Sequence, residues 1–299
     1  MMNVLVTGAN GQLGNELRLL SAGSGHNFIF TDISQAPGVE TVYLDITNID
    51  AIRIIAASEN VDVIVNCAGF TNVDKAEDDI TTADLVNHAA PAALAAVAAE
   101  RGATLIHIST DYVFDGKACS PYKEDDPPCP VSVYGSTKLA GDRSVMNSGC
   151  NYIILRTAWM YSPFGNNFVK TMLRLTSEHE SCKVVYDQIG TPTYAASLAG
   201  FIIRLIREKK LDRCGVYNFT DEGVISWYDF ASAVNLLSGH SCKIAPCRTE
   251  EYPRKALRPH YSVLDKTKIK EAFGIELPYW LSSLKDCLER LSATGATQS

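Results

Sequence analysis

The chain has 299 residues, 46% hydrophobic and 20% charged, with a formal net charge of −7. That acidic balance excludes non-specific nucleic-acid binding, which needs a basic face, and no apolar run approaches the ~20 residues that cross a bilayer. The length suits one large core, or one core with a smaller lobe.

Met1-Met2-Asn3 carries neither the basic segment nor the long apolar run of a signal peptide, so a cytoplasmic location is expected. The nine cysteines are scattered and form no CxxC, which fits reduced thiols and no structural metal. Asn3–Thr7 is the first predicted strand and runs straight into Gly8-Ala9-Asn10-Gly11-Gln12-Leu13-Gly14. Gly8 and Gly11 let backbone approach a pyrophosphate, and Gly14 lets the following helix pack closely. The first-turn amides of that helix, 10–20, then point at the anion. A glycine turn placed directly after a strand makes a dinucleotide the favoured ligand.

Further strands are predicted at 28–31, 42–44, 61–67, 104–108, 152–156 and 216–219. Several are continuous Val/Ile/Leu runs, as in parallel strands buried on both faces. Helices are predicted at 48–59, 76–101, 133–148 and 195–209. The alternation predicts an α/β fold, a doubly wound parallel sheet of Rossmann type. From about residue 160 the regularity breaks. Residues 161–167 read as loop, 168–178 as helix, and 184–193 as a short strand with a turn. The segment 222–299 mixes short helices with prolines, and residues 291–299 are expected to fray. We therefore expect a dinucleotide-binding domain over 1–159, to which 194–221 returns. A discontinuous substrate-binding lobe is expected over 160–193 and 222–299, above the carboxyl ends of the strands.

Chemistry concentrates in Ser109-Thr110-Asp111 at a strand end and Tyr134-Gly135-Ser136-Thr137-Lys138 on a later helix. Tyr134 and Lys138 are four apart and share a helix face. A phenol with a pKa near ~10 is a poor acid–base group at neutral pH, so Lys138, together with the positive charge of an oxidised nicotinamide, is expected to pull the Tyr134 pKa down. Thr110 can hold a reacting carbonyl in line. His107 lies in an apolar strand and reads as a satisfied core residue; His88 and His260 have no assigned role.

Thr7–Gly14, Asn66–Gly69, Ser109–Gly116 and Tyr134–Lys138 resemble the extended short-chain dehydrogenase/reductases. Within them, the chain is similar to the dTDP-4-dehydrorhamnose reductases through Thr71–Glu77, Ser109–Gly116, Tyr134–Asp142 (Asp142 standing where a Glu is usual), Arg156–Trp159, Gly165–Phe168, Asp187–Thr193 and Arg258–His260. The blocks keep the family's order over nearly the whole chain. The resemblance implies reduction of the C4 keto group of dTDP-4-dehydro-L-rhamnose by NADPH or NADH. Tyr134 would be the general acid, Lys138 its partner and a ligand of the nicotinamide ribose, and Thr110 the residue orienting the keto group. Gly8, Gly11, Gln12, Leu13 and Gly14 would line the pyrophosphate. Asp32, with Ser34, would lie near the adenosine ribose, although Asp32 also reads as a turn cap. Asp45 and Ile46 would flank adenine, and Ala68, Gly69 and Phe70 would cross the middle of the cofactor. Thr71, Val73, Thr110, Trp159, Asn167 and Arg258 would face the dTDP-sugar, with Arg258 clamping its pyrophosphate and Trp159 alternatively a core residue. Some family members form an Mg2+-bridged dimer; no carboxylate here is assigned to Mg2+, and a monomer or homodimer is expected. A 4,6-dehydratase would need a second carboxylate where Tyr112 stands. A related epimerase or reductase, and a non-catalytic subunit like the regulatory subunit of methionine adenosyltransferase, are the other readings.

Overall fold

Seven parallel strands form the centre of the computed structural model, which describes residues 1–295. Their order across the sheet is Gly215–Asn218, Asn151–Thr157, Thr104–Thr110, Val63–Asn66, Asn3–Thr7, Asn27–Asp32 and Val42–Tyr43. All seven predicted strands are present, shifted at their ends by a residue or two. The Val63–Asn66 strand is buried throughout and Asn3–Thr7 nearly so, as continuous β-branched runs covered on both faces should be. Helices cover each face. Leu13 and Leu17 of the helix Gln12–Ser21 pack with Leu198, Ile202 and Ile206 of Ala195–Arg207 on one side. Ile52, Leu94 and Val97 of Ile49–Ser58 and Ala90–Arg101 pack on the other.

The chain order reverses between Asn3–Thr7 and Val63–Asn66, because Asn3–Thr7 pairs with both Asn27–Asp32 and Val63–Asn66. A crevice opens at the carboxyl ends there, the usual ligand position in open α/β sheets. A separate apolar cluster, including Tyr161, Val169, Phe230, Val234, Trp280 and Leu284, stands beside it. The Thr267–Phe273 helix packs Ile269 and Phe273 into the sheet core instead, although its sequence position falls in the segment expected to form the lobe.

The structure corrects several predicted elements. The single helix over 76–101 is instead Val73–Asp78, Ile80–Asp84, a π-turn at Leu85–Ala89, and Ala90–Arg101. The Asp79 carboxylate accepts from Thr82 N at 3.1 Å and starts a new helix. Further on, Pro91 has no N–H to give to the Asn87 carbonyl, and the backbone widens so that Ala90 N–H reaches Leu85 O. The predicted strand at 184–193 is a strand at Ser181–Val185, paired with Lys243–Cys247, followed by short bridges at Ile189–Gly190 and Thr193–Tyr194. The fraying expected over 291–299 is replaced by helix up to Gly295, as part of Trp280–Gly295; its last four positions lie outside the described residues. All nine thiols are free.

Gly14 shows how closely the first helix sits: a Cβ there would lie 2.5 Å from Ala9 Cα. Gly14→Ala is expected to cost roughly 1–3 kcal/mol through overpacking, read as a lower denaturation midpoint; an unchanged midpoint would show that the helix has room to move away.

Candidate active site

Gly8 adopts φ +63°, and a Cβ on it would meet Ala68 N at 2.6 Å. The turn after the first strand therefore tolerates no side chain. Gly11 is the N-cap of the helix Gln12–Ser21 and supplies no side-chain cap, so the first-turn amides keep their hydrogen-bonding capacity for an anion. These features fit the pyrophosphate of a dinucleotide. A cleft of about 740 Å³ opens above them.

Most residues singled out in the sequence come together on this cleft. Its wall includes Gly8, Gly11, Gln12, Leu13, Asp32, Asp45, Ile46, Ala68 and Gly69 on one side. Thr71, Val73, Thr110, Tyr134, Lys138 and Trp159 line the other. Asp32 lines the cleft and caps a turn as well: it accepts from Asn10 N at 3.0 Å, Ser34 N at 2.9 Å and Ser34 Oγ at 2.8 Å.

Five expected residues lie outside the lining, one of them Ser34, which donates to Asp32. Gly14 is under the turn, against Ala9. The backbone of Phe70 is clamped by Asn87, whose Oδ1 accepts from Phe70 N at 2.8 Å and whose Nδ2 donates to Phe70 O at 3.1 Å. Asn167 caps the helix Phe168–Glu178 and donates to Gln12 Oε1 at 3.0 Å, leaving Gly165 and Asn166 to face the cleft. Arg258 pairs through Nη2 with Asp74 Oδ2 at 2.9 Å.

The Tyr134 helix, Val133–Met146, begins where Ser132 Oγ accepts from Gly135 N at 3.1 Å. The Tyr134 ring meets Tyr112 edge-on, with centroids 5.5 Å apart. Desolvation pushes the phenol well above its ordinary pKa, with Asp111, Tyr112 and Asp142 adding to that and only Thr110 opposing. Burial thus outweighs any pull from Lys138 alone. The Lys138 ammonium donates to Ile108 O at 2.6 Å, and burial lowers its own pKa to about 8 against the pull of Asp142. Tyr134 is thus held as a protonated phenol.

Three further residues, given no role from the sequence, stand at or beside the site. Asp111 is buried and accepts from Thr110 Oγ1 at 3.0 Å. Burial raises its carboxyl to about 6, with hydrogen bonds from Ser262 and Thr110 opposing. Trp227 stacks on Trp159, centroids 3.7 Å apart, and no local signal could link the two. Asp142 is buried four residues after Lys138 on the same helix, and that spacing was a readable signal. Trp159 also adopts φ +49°, a conformation uncommon for a bulky residue. His88 pairs with Asp84 Oδ1 at 3.0 Å and His260 Nδ1 with Asp187 O at 2.9 Å.

The sequence matches the family model described as RmlD substrate binding domain over residues 2–293. It is 39% identical to a dTDP-4-dehydrorhamnose reductase of Burkholderia thailandensis, over 97% of this chain and 99% of that one. A crystal structure of a dTDP-4-dehydrorhamnose reductase from Clostridium acetobutylicum superposes with a TM-score of 0.91 at 43% identity, covering 97% of this chain and all of the other. The Bacillus anthracis dTDP-4-dehydrorhamnose reductase, solved in complex with NADP, gives 0.88 at 34% identity over 97% and 99%.

Asp111 provides a test of the site's electrostatics. Its folded pKa lies above the unfolded value, so the native state prefers the protonated form, and stability is lost as pH rises from about 4 through about 6. Asp111→Asn removes that loss. Relative to the parent, the variant should gain on the order of 2–3 kcal/mol of unfolding free energy between about pH 4 and about pH 7, measured by urea denaturation. A difference that does not change with pH would refute the raised carboxyl.

Proposed function

The chain belongs to the RmlD substrate binding domain family, and from that membership and the cleft we propose that it reduces the C4 keto group of dTDP-4-dehydro-L-rhamnose to dTDP-L-rhamnose, using NADPH or NADH. The observation that carries this reading is the convergence of Thr110, Tyr134 and Lys138 on the cleft that also holds the side-chain-free turn at Gly8.

A reduced nicotinamide supplies a hydride when bound. Tyr134, kept protonated by its surroundings, donates its proton to O4 as the carbonyl becomes an alkoxide. The Lys138 ammonium stabilises the phenolate this leaves and holds the nicotinamide ribose. Thr110 turns its hydroxyl from Asp111 toward the keto oxygen. On the substrate side, Thr71, Val73 and Trp159 face the nucleotide sugar. Asn167 acts through the Gln12 side chain that it holds. Arg258 takes the substrate pyrophosphate: its Nε is buried without a partner while Nη2 is tied to Asp74. On the cofactor side, Gly8 to Gly14 hold the pyrophosphate, Asp32 the adenosine ribose, Asp45 and Ile46 the adenine, and Ala68, Gly69 and Phe70 the middle of the molecule.

Residues 1–159 with 194–221 are assigned to cofactor binding, and 160–193 with 222–299 to the substrate lobe, apart from the helix Thr267–Phe273, which packs on the sheet. The reading is of a cytoplasmic monomer or homodimer acting on a dTDP-sugar, without nucleic acid or membrane. Among the described residues no helix is long and apolar enough to cross a membrane. Nor does any group of three or more His, Cys, Asp or Glu among them stand ready for a metal ion.

Purified protein should consume reduced nicotinamide, followed by its absorbance, only when the 4-keto sugar nucleotide is present. Tyr134→Phe should lower kcat by about two to four orders of magnitude, the range for a lost proton donor; near-parental turnover would remove Tyr134 from that role. Absence of turnover together with tight binding to another enzyme would favour a regulatory subunit. Because a carboxylate at the adenosine ribose repels a 2′-phosphate, Asp32→Asn should raise kcat/KM for NADPH relative to NADH by roughly tenfold. An unchanged ratio would leave Asp32 as a turn cap only.

A further inference from the structure

We propose that Asp142 is a positioning residue of the reaction: the buried counter-anion that keeps Lys138 charged and aimed into the cleft. The inference rests on the reductase reading above and extends it to a side chain outside the cleft lining. Asp142 lies four residues after Lys138 and eight after Tyr134 on the helix Val133–Met146, so all three share one face. It is completely buried, where an unpaired carboxylate is costly.

Asp142 Oδ2 takes one hydrogen bond, while Oδ1 has charged and polar neighbours but no donor within hydrogen-bond reach among the described residues. Ser109, next to Thr110, donates to Oδ2 at 2.7 Å. Arg156 Nε lies 3.6 Å from the same oxygen, and His107 Nε2 lies 3.7 Å from Oδ1. The histidine is oriented from its far side. Thr7 Oγ1 donates to Asn66 Oδ1 at 2.7 Å, which turns Asn66 Nδ2 toward His107 Nδ1 at 3.0 Å. With Nδ1 accepting from that amide, the neutral ring carries its proton on Nε2, which lies near Asp142 without a hydrogen bond to it. A line of polar side chains thus crosses three adjacent strands beneath the cleft, from the last residue of the first strand to the back of the lysine.

Lys138 itself is 5% exposed, and its direct partner, Ile108 O, is a neutral carbonyl. The charged and titratable groups around it include Tyr134 and Asp142 on its own helix, Arg156 and His107 from the sheet, and the Cys67 thiol on the same cleft wall, with Glu77 and His88 on the segments packed against the helix. Asp111 and Tyr112 come from the turn after Thr104–Thr110. His107 is held neutral by burial and by the lysine, and Asp111 is bonded by Thr110 beside Tyr134. Burial pushes the Asp142 carboxyl up, while Arg156, Lys138 and Ser109 oppose it. Both buried cations favour the ionised carboxylate against burial, and one negative charge is shared between them. Replace it with a neutral side chain, and Lys138 faces Arg156 uncompensated and loses its proton more readily.

The test is kcat/KM against pH for the parent, Asp142→Asn and Asp142→Glu, using NADH and dTDP-4-dehydro-L-rhamnose. In Asp142→Asn the alkaline limb should move down by about one to two pH units, the effect of removing one nearby charge in a buried site. The deficit should then be roughly tenfold larger at alkaline than at mildly acidic pH. Asp142→Glu should bring the limb back. A deficit equal at every pH, or a limb that does not move, overturns the proposal and leaves Asp142 a structural residue. If Asp142→Asn does not fold, Ser109→Ala, which releases one carboxylate oxygen without changing charge, should move the limb the same way by less, and an unmoved limb again overturns it. A parent that turns over no substrate defeats the reductase reading itself; an active parent with unmoved limbs defeats only the role of Asp142.

Discussion

Gly135 and Gly141 let the helix Val133–Met146 lie directly against the backbone carbonyls of Tyr112 and Asn87, where a Cβ on either glycine would collide with the oxygen. The rest of the site depends on that close seating. It brings Tyr134 to the strand end at Thr110 and places Lys138 against Ile108 O. It also buries Asp142 with no route to solvent. A helix held one side chain further away would let water reach all three. The phenol and ammonium would then titrate near their ordinary values.

The partner surface for Gly141 is made by a local failure of helical geometry. Pro91 interrupts the run predicted over 76–101, and the π-turn Leu85–Ala89 takes up the extra residue. The turn leaves the Asn87 carbonyl facing Gly141 and sends the Asn87 side chain across to Phe70. One residue thus ties the segment 68–70, at the middle of the cleft, to the helix that carries Tyr134. π-turns are rare and concentrate where a side chain must be re-aimed, and here the re-aimed group is an amide that holds backbone instead of ligand.

The sheet was legible because each strand is a short apolar run buried on both faces, a pattern that needs no knowledge of distant residues. The glycine turn was legible for the same local reason. What could not be read was pairing between remote segments. Arg258 looks free in the sequence, yet Asp74 is its partner across the fold. Trp159 can be read as core or as substrate platform, and it is the stacked Trp227 at its cleft face that shows how it is supported. Asn167 looks like a ligand contact and is spent on a helix cap and on Gln12. Asp142 is the intermediate case. Its spacing from Lys138 was on the page, but a carboxylate at that spacing is usually solvated, and only the fold reveals that it is sealed.

The protonation state of Tyr134 shows most clearly what the fold adds to the motif. Read as a pair on a helix, Tyr134 and Lys138 suggest a lysine that acidifies a phenol. In the structure burial acts on both and disfavours charge on each: the phenol is pushed up and the ammonium down to about 8. For a group that must give up a proton to a forming alkoxide, this is the useful direction. A phenol that has already ionised has nothing to donate, whereas one held neutral donates when the alkoxide appears, and the adjacent cation then meets the new negative charge. Burial therefore sets the direction in which the pair works best, and the cost of keeping Lys138 charged there falls on the only sealed carboxylate behind it among the described residues, Asp142.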